Sequence, residues 1–495
     1  MSEKNSLLIG GNGTNTVFMD ASMANRHGMV AGATGTGKTV TLQILAENFS
    51  KIGVPVFLAD IKGDVSGIGK PASPHPKIDE RIKTIGIDDY EMTANPVVFW
   101  DLFAKQGHPI RTTISEIGPL LLSNLLELND TQTGILYSCF KIADDEGMLI
   151  LDLKDLRSML IWMGENRKEL SMEYGNISTA SIGAIQRGLI VLEEQGADFL
   201  LGEPAISLSD LMSYDFSGRG VINILDASNL IQTSPKLYAT FLLWLLSELF
   251  ETLPELGDAD KPKFVMFFDE AHLLFDDAPK VLIDKIEQVV RLIRSKGVGI
   301  YFISQSPLDI PEEILGQLGL KIQHALRAFT PKDKKAVQTV AETFRSNSEL
   351  DTKTVITELG VGEALVSTLD KEGIPSQVER ILIKPPQSRI GPMSDEERQE
   401  QISRSPLKRR YDTLVDRESA YEMLSERAKT AMEEKIELEK QEEAAELIKK
   451  KAKSSSKKST RQTPTEAFIK SAARSIGTQL GGRLIRGVLG SLLKG

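Results

Sequence analysis

Short apolar runs alternate with helix-length stretches of mixed polarity through much of the chain. The runs are rich in Val, Ile, Leu and Phe, and charged residues or glycines bound them. The clearest runs are Val54–Leu58, Val221–Leu225, Phe264–Phe268, Gly299–Ile303 and Lys321–Ala325. Strands that alternate with helices in this way are typical of a mostly parallel sheet covered by helices. The pattern therefore predicts an α/β core.

The apolar pattern changes between about Met92 and Met212. Hydrophobic residues there recur at helical spacing, and β-branched runs are few. Examples of this spacing are Ile117, Leu120, Leu121, Leu125 and Leu128. Turn signals divide the segment at Gly147, Gly164, Gly175 and Gly202. We interpret it as an all-helical insertion whose helices pack as a bundle, serving as a lid, a specificity module or an oligomer contact.

The pattern after the core predicts a hairpin and then a charged extension. Glu363–Leu369 and Gln377–Ile383 are two β-like runs on either side of a turn, and Lys384-Pro385-Pro386 ends the compact unit. From Ser394 to Glu446 the chain is rich in Glu, Lys, Arg and Gln, which favours an exposed helix, a coiled coil or a flexible docking segment. The Lys/Ser run Lys449–Arg461 is either a solvated linker or a contact for nucleic acid or anionic lipid.

The last thirty or so residues predict a basic amphipathic helix. Its apolar positions are Ile469, Ala473, Ile476, Leu480, Leu484 and Val488. Basic residues lie among them, and Gly477 and Gly481 form a pair of small residues four apart. Such a helix serves self-association, membrane-surface binding or simple docking.

These patterns divide the chain into five parts. The predicted parts are 1–91, the first part of the core; 92–215, the helical insertion; 216–390, the second part of the core; 391–464, a charged helical or flexible linker; and 465–495, the basic glycine-rich helix.

Composition narrows the class of protein only a little. A chain of 495 residues with 41% hydrophobic and 26% charged residues can bury a sizeable core. The net charge of −10 argues against a wholly basic nucleic-acid coat. The single cysteine, Cys139, excludes an internal disulfide and is interpreted as a buried helical residue of a cytoplasmic protein. We expect neither a secretory leader nor a membrane-spanning segment.

The strongest chemical signal is a phosphate-binding loop. The loop follows the apolar stretch Met29-Val30-Ala31 and precedes a helix-like run, Val40–Phe49. In such a loop the backbone N–H groups wrap the β-phosphate, the lysine bridges the β- and γ-phosphates, and the hydroxyl binds Mg²⁺. ATP or GTP is therefore the expected ligand. The predicted nucleotide contacts are Gly32, Ala33, Thr34, Gly35, Thr36, Gly37, Lys38, Thr39 and Val40.

A second motif supplies carboxylates. The strand-like run Phe264–Phe268 ends in Asp269 and Glu270, followed by Ala271 and His272, which is a Walker B signature. Asp269 is expected to hold Mg²⁺ together with Thr39, and Glu270 to orient the attacking water. Glu270 is the predicted catalytic residue, with His272 as an orienting neighbour.

Polar residues follow two further strands at the same predicted edge of the sheet. Gln305, after Gly299–Ile303, is either a sensor of the γ-phosphate or a turn-stabilising residue. The segment Asp60–Asp64, after Val54–Leu58, is either part of the site or a charged turn.

Several arginines are candidates for stabilising transition-state charge. An arginine from a neighbouring subunit is able to couple hydrolysis around a ring. Residue types alone do not choose among the candidates, which are Arg26, Arg291, Arg294 and Arg327.

Three motifs together resemble the HerA/FtsK group of P-loop motor ATPases. They are Gly32–Thr39, the Asp269-Glu270-Ala271-His272 end of Walker B, and Ile303–Pro307, and the resemblance extends from about Ser6 to Pro386. It implies a RecA-like core with an extra strand between the two Walker strands, hexameric rings, and ATP-driven translocation of double-stranded DNA. By position, it also implies that Lys38 and Thr39 bind nucleotide, that Gln305 is the sensor, and that Arg26 and Arg294 are ring arginines.

Within the group, the chain is most similar to bacterial HerA-like proteins of unassigned role. HerA proper has an N-terminal β-barrel that docks a nuclease, whereas here the phosphate loop begins at Gly32, so no nuclease partner is expected. The sequence thus predicts a Mg²⁺-dependent, ring-forming ATPase that acts on DNA without sequence readout. The alternative is an ATPase that acts on a protein partner or at the membrane surface through residues 465–495. A small-molecule kinase is disfavoured because Glu270 suits hydrolysis.

Overall fold

The computed structural model of the protein describes residues 5–257, 259–276, 280–328 and 330–455. Within these residues, twelve strands form one sheet. The strands are β1 (Ser6–Gly11), β2 (Thr16–Asp20), β3 (Gly28–Ala31), β4 (Val56–Asp60), β5 (Val97–Asp101), β6 (His108–Pro109), β7 (Ile222–Asp226), β8 (Phe264–Phe268), β9 (Val298–Ser304), β10 (Leu320–Gln323), β11 (Glu363–Ser367) and β12 (Glu379–Ile383).

The sheet has a parallel part and an antiparallel part. Its strand order is β2-β1-β12-β11-β10-β3-β9-β8-β4-β7-β5-β6. All neighbours from β10 to β6 are parallel, whereas β11, β12, β1 and β2 pair antiparallel. The predicted, mostly parallel α/β sheet is confirmed, and so is the hairpin, since β11 pairs with β12.

The order of the central strands agrees with a RecA-like core. Strand β3, which precedes the phosphate loop, is separated from the Walker B strand β8 by one strand, β9. This is the extra strand that the family resemblance implies. Because the three strands are parallel, the segments that follow them meet at one edge of the sheet.

Helices of the compact unit that contains the sheet pack on both of its faces. The helices of the described residues are α1 (Lys38–Lys51), α2 (Pro76–Ile85), α3 (Ile114–Leu125), α4 (Asp130–Glu146), α5 (Leu153–Glu165), α6 (Arg167–Tyr174), α7 (Thr179–Glu194), α8 (Ala197–Leu200), α9 (Leu208–Leu211), α10 (Ser228–Thr233), α11 (Pro235–Thr252), α12 (Lys280–Ile293), α13 (Glu312–Leu315), α14 (Pro331–Glu342), α15 (Thr352–Glu358), α16 (Asp395–Arg404), α17 (Lys408–Tyr411) and α18 (Ala420–Ser455).

The helical insertion starts later than the pattern predicts. Residues 97–109 contain β5 and β6, which pair in parallel with the main sheet, so the interpretation of an all-helical segment from Met92 is wrong there. The helices begin at Ile114, where Thr113 and Glu116 form a capping box. The sequence pattern does not reveal β5, because its apolar run is only four residues long and adjoins the helical pattern that follows.

The hydrophobic core lies on the two faces of the sheet. On one face, the apolar sides of α3, α4, α5 and α7 pack with α11, whose residues from Leu237 to Leu249 are largely buried. On the other face, α1 packs against strands including β3, β4 and β8. Cys139 is buried in α4, where burial raises the pKa of its thiol to about 12. It acts as a small apolar side chain, as expected.

The first part of the predicted charged linker is packed against the core. The compact unit that contains the sheet extends to Leu424. Arg398 of α16 donates to Asp226 at the end of β7 over 2.6 Å and lies over the Phe99 ring, and Tyr411 is fully buried. A linker between 391 and 424 was therefore the wrong interpretation. Side-chain composition hid this, because only a few residues of the segment are buried.

The second compact unit begins at Ser425, within α18. Its described residues, up to Ser455, are helical. The predicted basic amphipathic helix at 465–495 and the end of the Lys449–Arg461 run, residues 456–461, lie outside the described residues. In the part of the chain that the structure describes, no helix combines the length and apolar character needed to cross a bilayer.

Candidate functional site

The phosphate loop connects β3 to the start of α1. Three of its glycines have positive φ, with values of 154° at Gly32, 77° at Gly35 and 116° at Gly37. Side chains rarely adopt this region, so the loop requires glycine at these positions. A Cβ atom at Gly37 would also lie 3.3 Å from the backbone of Gly362. The spacing of glycines in the sequence is thus explained by the backbone path around the site.

Lys38, the first residue of α1, is buried within this loop. Its ammonium group donates to the carbonyl oxygens of Gly32 at 2.6 Å and Ala33 at 3.2 Å. Burial lowers the pKa of Lys38, and the charge of Lys62 lowers it further, whereas Glu270 and Asp269 oppose the shift. Lys38 therefore lies close to the Walker B carboxylates, as the two motifs together predict.

The Walker B pair follows β8 directly. Burial raises the pKa of Asp269 to about 6, despite the nearby charge of Lys62. Glu270 has a φ of 45°, which is the left-handed region and costs free energy for a residue with a side chain. It is only 8% exposed, and its Oε2 atom accepts no hydrogen bond from the described residues. A strained backbone thus holds a carboxylate in a desolvated place.

Lys62 is the site residue that the sequence interpretation missed. Its Nζ atom lies 3.0 Å from Glu270 Oε1. Burial alone would raise the pKa of Glu270, but the hydrogen bond and charge of Lys62 hold it below its ordinary value. The sequence predicts that Asp60–Asp64 lies near the site, but it gives no role to the lysine of this segment.

Asp60 explains how Lys62 reaches the site. Its carboxylate accepts hydrogen bonds from the backbone N–H groups of Gly63 at 2.7 Å and Val65 at 3.0 Å. Burial raises the pKa of Asp60 to about 6. Asp60 therefore holds a tight turn after β4, and this turn presents Lys62 toward Glu270. The segment Asp60–Asp64 is thus a charged turn at Asp60 and also brings a side chain, Lys62, to the site.

Strand β9 ends between the two Walker motifs. The backbone carbonyl of Ser304 accepts from Gly32 N at 3.3 Å, and the Ser304 hydroxyl donates to Asp309 at 2.5 Å. Gln305 follows, and hydrogen bonding by its side chain is among the causes that lower the pKa of Glu270. The structure thus brings Gln305 to the predicted catalytic glutamate.

His324 is a buried residue that contacts the helix after the phosphate loop. It follows β10, is fully buried, and burial lowers its pKa to about 4, so the ring is neutral. Its Nδ1 atom is 2.8 Å from the carbonyl oxygen of Glu363, and because a carbonyl oxygen only accepts, Nδ1 is the donor. The Nε2 atom is 2.8 Å from Thr41 Oγ1 and accepts a hydrogen bond from that hydroxyl. His324 thereby ties α1 to β11, and no spacing in the sequence pointed to it.

The candidate arginines are divided between the two edges of the sheet. Arg26 lies two residues before β3 and Arg294 lies four residues before β9, so both lie at the amino edge, whereas Arg327 follows β10 at the carboxyl edge. Strand β3 separates Arg26 from the phosphate loop by roughly 13 Å, at about 3.3 Å per residue. The structure therefore does not bring Arg26 or Arg294 to the loop of their own chain. Arg291 pairs with Glu287 on α12.

Comparison with known protein families gives one match over nearly the whole chain. The family model described as helicase HerA-like C-terminal matches residues 5–495. The DNA double-strand break repair helicase HerA of Sulfolobus acidocaldarius is 23% identical over 356 residues, which are 69% of this chain and 62% of that protein. The chain thus spans less than two thirds of the length of that curated relative.

Solved structures with similar folds include the proteins TrwB and VirB4. The plasmid coupling protein TrwB, solved with the non-hydrolysable GTP analogue GDPNP, superposes with a TM-score of 0.51 at 14% identity, covering 78% of this chain and 91% of TrwB. VirB4 of Thermoanaerobacter pseudethanolicus superposes with a TM-score of 0.50 at 17% identity, covering 78% of this chain and 97% of VirB4. At such identities the likeness establishes the fold alone.

Proposed function

The chain belongs to the helicase HerA-like C-terminal family, and from this premise we propose that it is a cytoplasmic, Mg²⁺-dependent ATP hydrolase. In this proposal it assembles as a hexameric ring and moves along double-stranded DNA without reading its sequence. The observation that supports the proposal best is the arrangement at the ends of three adjacent strands. The phosphate loop follows β3, Gln305 follows β9, and Asp269 and Glu270 follow β8.

Each residue of this arrangement has a role in the proposal. Lys38 and the loop N–H groups bind the β- and γ-phosphates at the N-terminus of α1. Glu270 accepts a hydrogen bond from the attacking water and orients it in line with the γ-phosphate. Gln305, beside Glu270, reports whether the γ-phosphate is present. Lys62 positions Glu270 through their ion pair.

The residues at this site fit a magnesium ion. The Thr39 hydroxyl and the Asp269 carboxylate would hold Mg²⁺, and Asp269 is a carboxylate whose burial makes its charge costly without a cation. Among the described residues, no group of three or more His, Cys, Asp and Glu side chains is arranged as a metal cage. Mg²⁺ sites that are completed by water and substrate phosphates need no such cage. When bound, Mg²⁺ neutralises phosphate charge.

The ring arginines act between subunits in this proposal. Arg26 and Arg294 are neighbours at the amino edge, where the carbonyl oxygen of Arg294 accepts from Asn25. Because this edge is remote from the loop of the same chain, their guanidinium groups are assigned to the nucleotide of an adjacent subunit.

ATP hydrolysis is expected to be stimulated by DNA. We expect long double-stranded DNA to increase steady-state phosphate release several-fold at low salt. The increase should disappear at high salt, because binding to DNA phosphates releases counterions and therefore weakens as the salt concentration rises. The measurement compares the purified protein with and without DNA at two salt concentrations, with Glu270→Gln as the blank.

The other outcomes of this measurement contradict parts of the proposal. Robust hydrolysis that is indifferent to DNA contradicts a DNA motor and favours the alternative substrate, a protein or a membrane surface. Phosphate transfer that requires an added acceptor contradicts hydrolysis itself.

Replacing Lys62 is expected to slow hydrolysis and to change its pH dependence. Lys62 counteracts the effect of burial on Asp269 and Glu270, so Lys62→Ala raises the pKa of both carboxyl groups. Both must be ionised for hydrolysis, and activity is therefore lost at a higher pH as the pH falls. We expect kcat to decrease roughly tenfold, less than for loss of a general base.

The measurement is the pH profile of kcat for Lys62→Ala and for the exposed control Lys371→Ala. The control is expected to keep the profile of the unaltered protein. A Lys62→Ala enzyme that is slower but has an unchanged acidic limb would show that Lys62 has no electrostatic role at Glu270.

A further inference from the structure

A pocket of about 320 Å³ lies at the β6 end of the sheet. Its wall comes from the loop between β5 and β6, from the residues after β6, and from α16 and α17. In the strand order, five strands separate β6 from β3, the strand that precedes the phosphate loop. At about 4.8 Å per strand, β3 and β6 are roughly 29 Å apart along the sheet. The pocket is therefore distinct from the nucleotide site.

The charged groups of the pocket are three cations and one carboxylate. The cations are Lys105, Arg111 and Lys408, and the carboxylate belongs to Asp412. The Asp412 carboxylate is already engaged by His108, whose Nδ1 atom is 2.8 Å away. Both lysines are exposed, and within the part of the chain that the structure describes neither ammonium group has a carboxylate partner. The protein itself thus balances only part of the positive charge of the pocket.

Arg111 is the buried cation of the pocket. It is 9% exposed, and its guanidinium group donates to the carbonyl oxygen of Tyr411 at 3.0 Å. This hydrogen bond uses one of the five N–H groups of the side chain. Burial lowers the pKa of Arg111, whereas the charge of Asp412 opposes the shift. A cation that is held away from water in this way is stabilised by an anion beside it.

The loop that carries Lys105 is held in place by the fold. The Asp101 carboxylate accepts hydrogen bonds from the backbone N–H groups of Lys105 and Gln106, both at 2.8 Å. The side chain of Gln399 on α16 donates to the Lys105 carbonyl oxygen at 3.1 Å. These contacts join the loop to α16, so the wall of the pocket forms together with the fold. Binding sites for small ligands are usually preformed in this sense.

We propose that this pocket binds a phosphate group, which is held by the Arg111 guanidinium and the ammonium groups of Lys105 and Lys408. Guanidinium and ammonium groups are the usual side-chain partners of phosphate oxygens. The described residues that line the pocket include no aromatic side chain, so it offers no ring on which a base could stack. Its volume is near the lower limit of the range of about 300–1,000 Å³ for small-molecule sites, which suits a compact, polar ligand.

The phosphate group comes from one of two sources, the backbone of DNA or a small phosphorylated molecule. Both present the same charged oxygens to the pocket. A contact with the DNA backbone would hold DNA without reading its bases, and this source alone rests on the proposed function. A small phosphorylated molecule would make the pocket a ligand site that is independent of that function.

The first arm of the test titrates inorganic pyrophosphate into the full-length protein by calorimetry. Mg²⁺ and a non-hydrolysable ATP analogue are present at saturation, so that the phosphate loop is filled and pyrophosphate reports on the pocket. The variant is Lys105→Ala/Lys408→Ala, which alters two exposed side chains and is therefore expected to fold. We expect it to bind pyrophosphate about tenfold more weakly, because two of the three cations are removed.

The second arm measures the affinity for a short DNA duplex at several salt concentrations. If the phosphate group belongs to DNA, we expect the slope of log affinity against log salt concentration to fall in magnitude by about one to two in Lys105→Ala/Lys408→Ala. The matched control Lys168→Ala/Lys371→Ala removes the same charge from two exposed lysines elsewhere and should change neither readout. Thermal unfolding checks that both double variants are folded.

The outcomes separate the two sources from failure of the proposal. Weaker binding of pyrophosphate with an unchanged salt slope supports a small phosphorylated molecule, and a smaller slope supports DNA. If Lys105→Ala/Lys408→Ala leaves both readouts unchanged, or if the control double variant changes them equally, the assignment of the pocket is overturned. Failure of the ATP analogue to bind would contradict the proposed function, whereas the comparison of the two double variants would still test the pocket.

Discussion

Glu270→Gln is expected to bind ATP with near-normal affinity and to lose at least about 100-fold in kcat, in the range for removal of a general base. The substitution keeps the length and hydrogen-bonding oxygen of the side chain, so its contact with Lys62 is retained in a neutral form. It removes the negative charge that polarises the attacking water. The two measurements are ATP affinity and single-turnover phosphate release.

The geometry of Glu270 makes this test specific. Its backbone is in the left-handed region, and its Oε2 atom accepts no hydrogen bond from any of the residues that the structure describes. His272 Nδ1 lies 3.6 Å from this oxygen, which is an ion-pair distance and too long for a hydrogen bond. A merely structural carboxylate that is 8% exposed would be expected to have both oxygens hydrogen-bonded. Glu313→Gln, an exposed change on α13, is the control and should keep full turnover. Near-normal turnover by Glu270→Gln would refute its assignment as the water-orienting residue.

Lys38→Ala is expected to weaken ATP binding by roughly 100-fold, which corresponds to about 3 kcal/mol for charge-assisted hydrogen bonds to phosphate. Lys38 lies within the loop, where its ammonium group reaches two loop carbonyl oxygens. The same ammonium group is the charge that the β- and γ-phosphates would contact. The measurement is the affinity for ATP and for tripolyphosphate with Mg²⁺.

Lys51→Ala is a matched control for this prediction, because Lys51 is an exposed lysine at the other end of α1. It should leave both affinities unchanged. Thermal unfolding of both variants separates loss of binding from loss of folding. Unchanged binding of tripolyphosphate to folded Lys38→Ala would contradict the assignment of Gly32–Thr39 as the phosphate loop.

The two Walker motifs were predictable because each depends on residues that are adjacent in the chain. Glycines at Gly32, Gly35 and Gly37 are needed by a local backbone path, and Lys38 begins the helix that follows it. Asp269 and Glu270 end a buried strand. The apolar runs predicted the parallel sheet for the same reason, since burial on both faces leaves a local hydrophobic signature.

Strands with short or interrupted apolar runs cannot be predicted from local hydrophobic patterns in the same way. Strand β5 is stabilised by pairing with β7, over a hundred residues later in the chain, and β1 pairs with β12. The docking of α16 likewise includes a buried pair, Arg398 and Asp226, whose members are 172 residues apart in the chain. Hydrophobic periodicity within a window contains no information about such partners.

The sequence alone suffices to predict a phosphate loop, two carboxylates and an amide, each at the end of a strand. Three contacts become visible only in the fold: Lys62 pairs with Glu270, His324 contacts Thr41, and Arg81 closes a cleft beside Gly37. The fold also places Arg26 and Arg294 at the opposite edge of the sheet. This difference follows from the range of the interactions. Turns and strand burial are local, whereas ion pairs and hydrogen bonds between distant segments form only when the strand order brings those segments together.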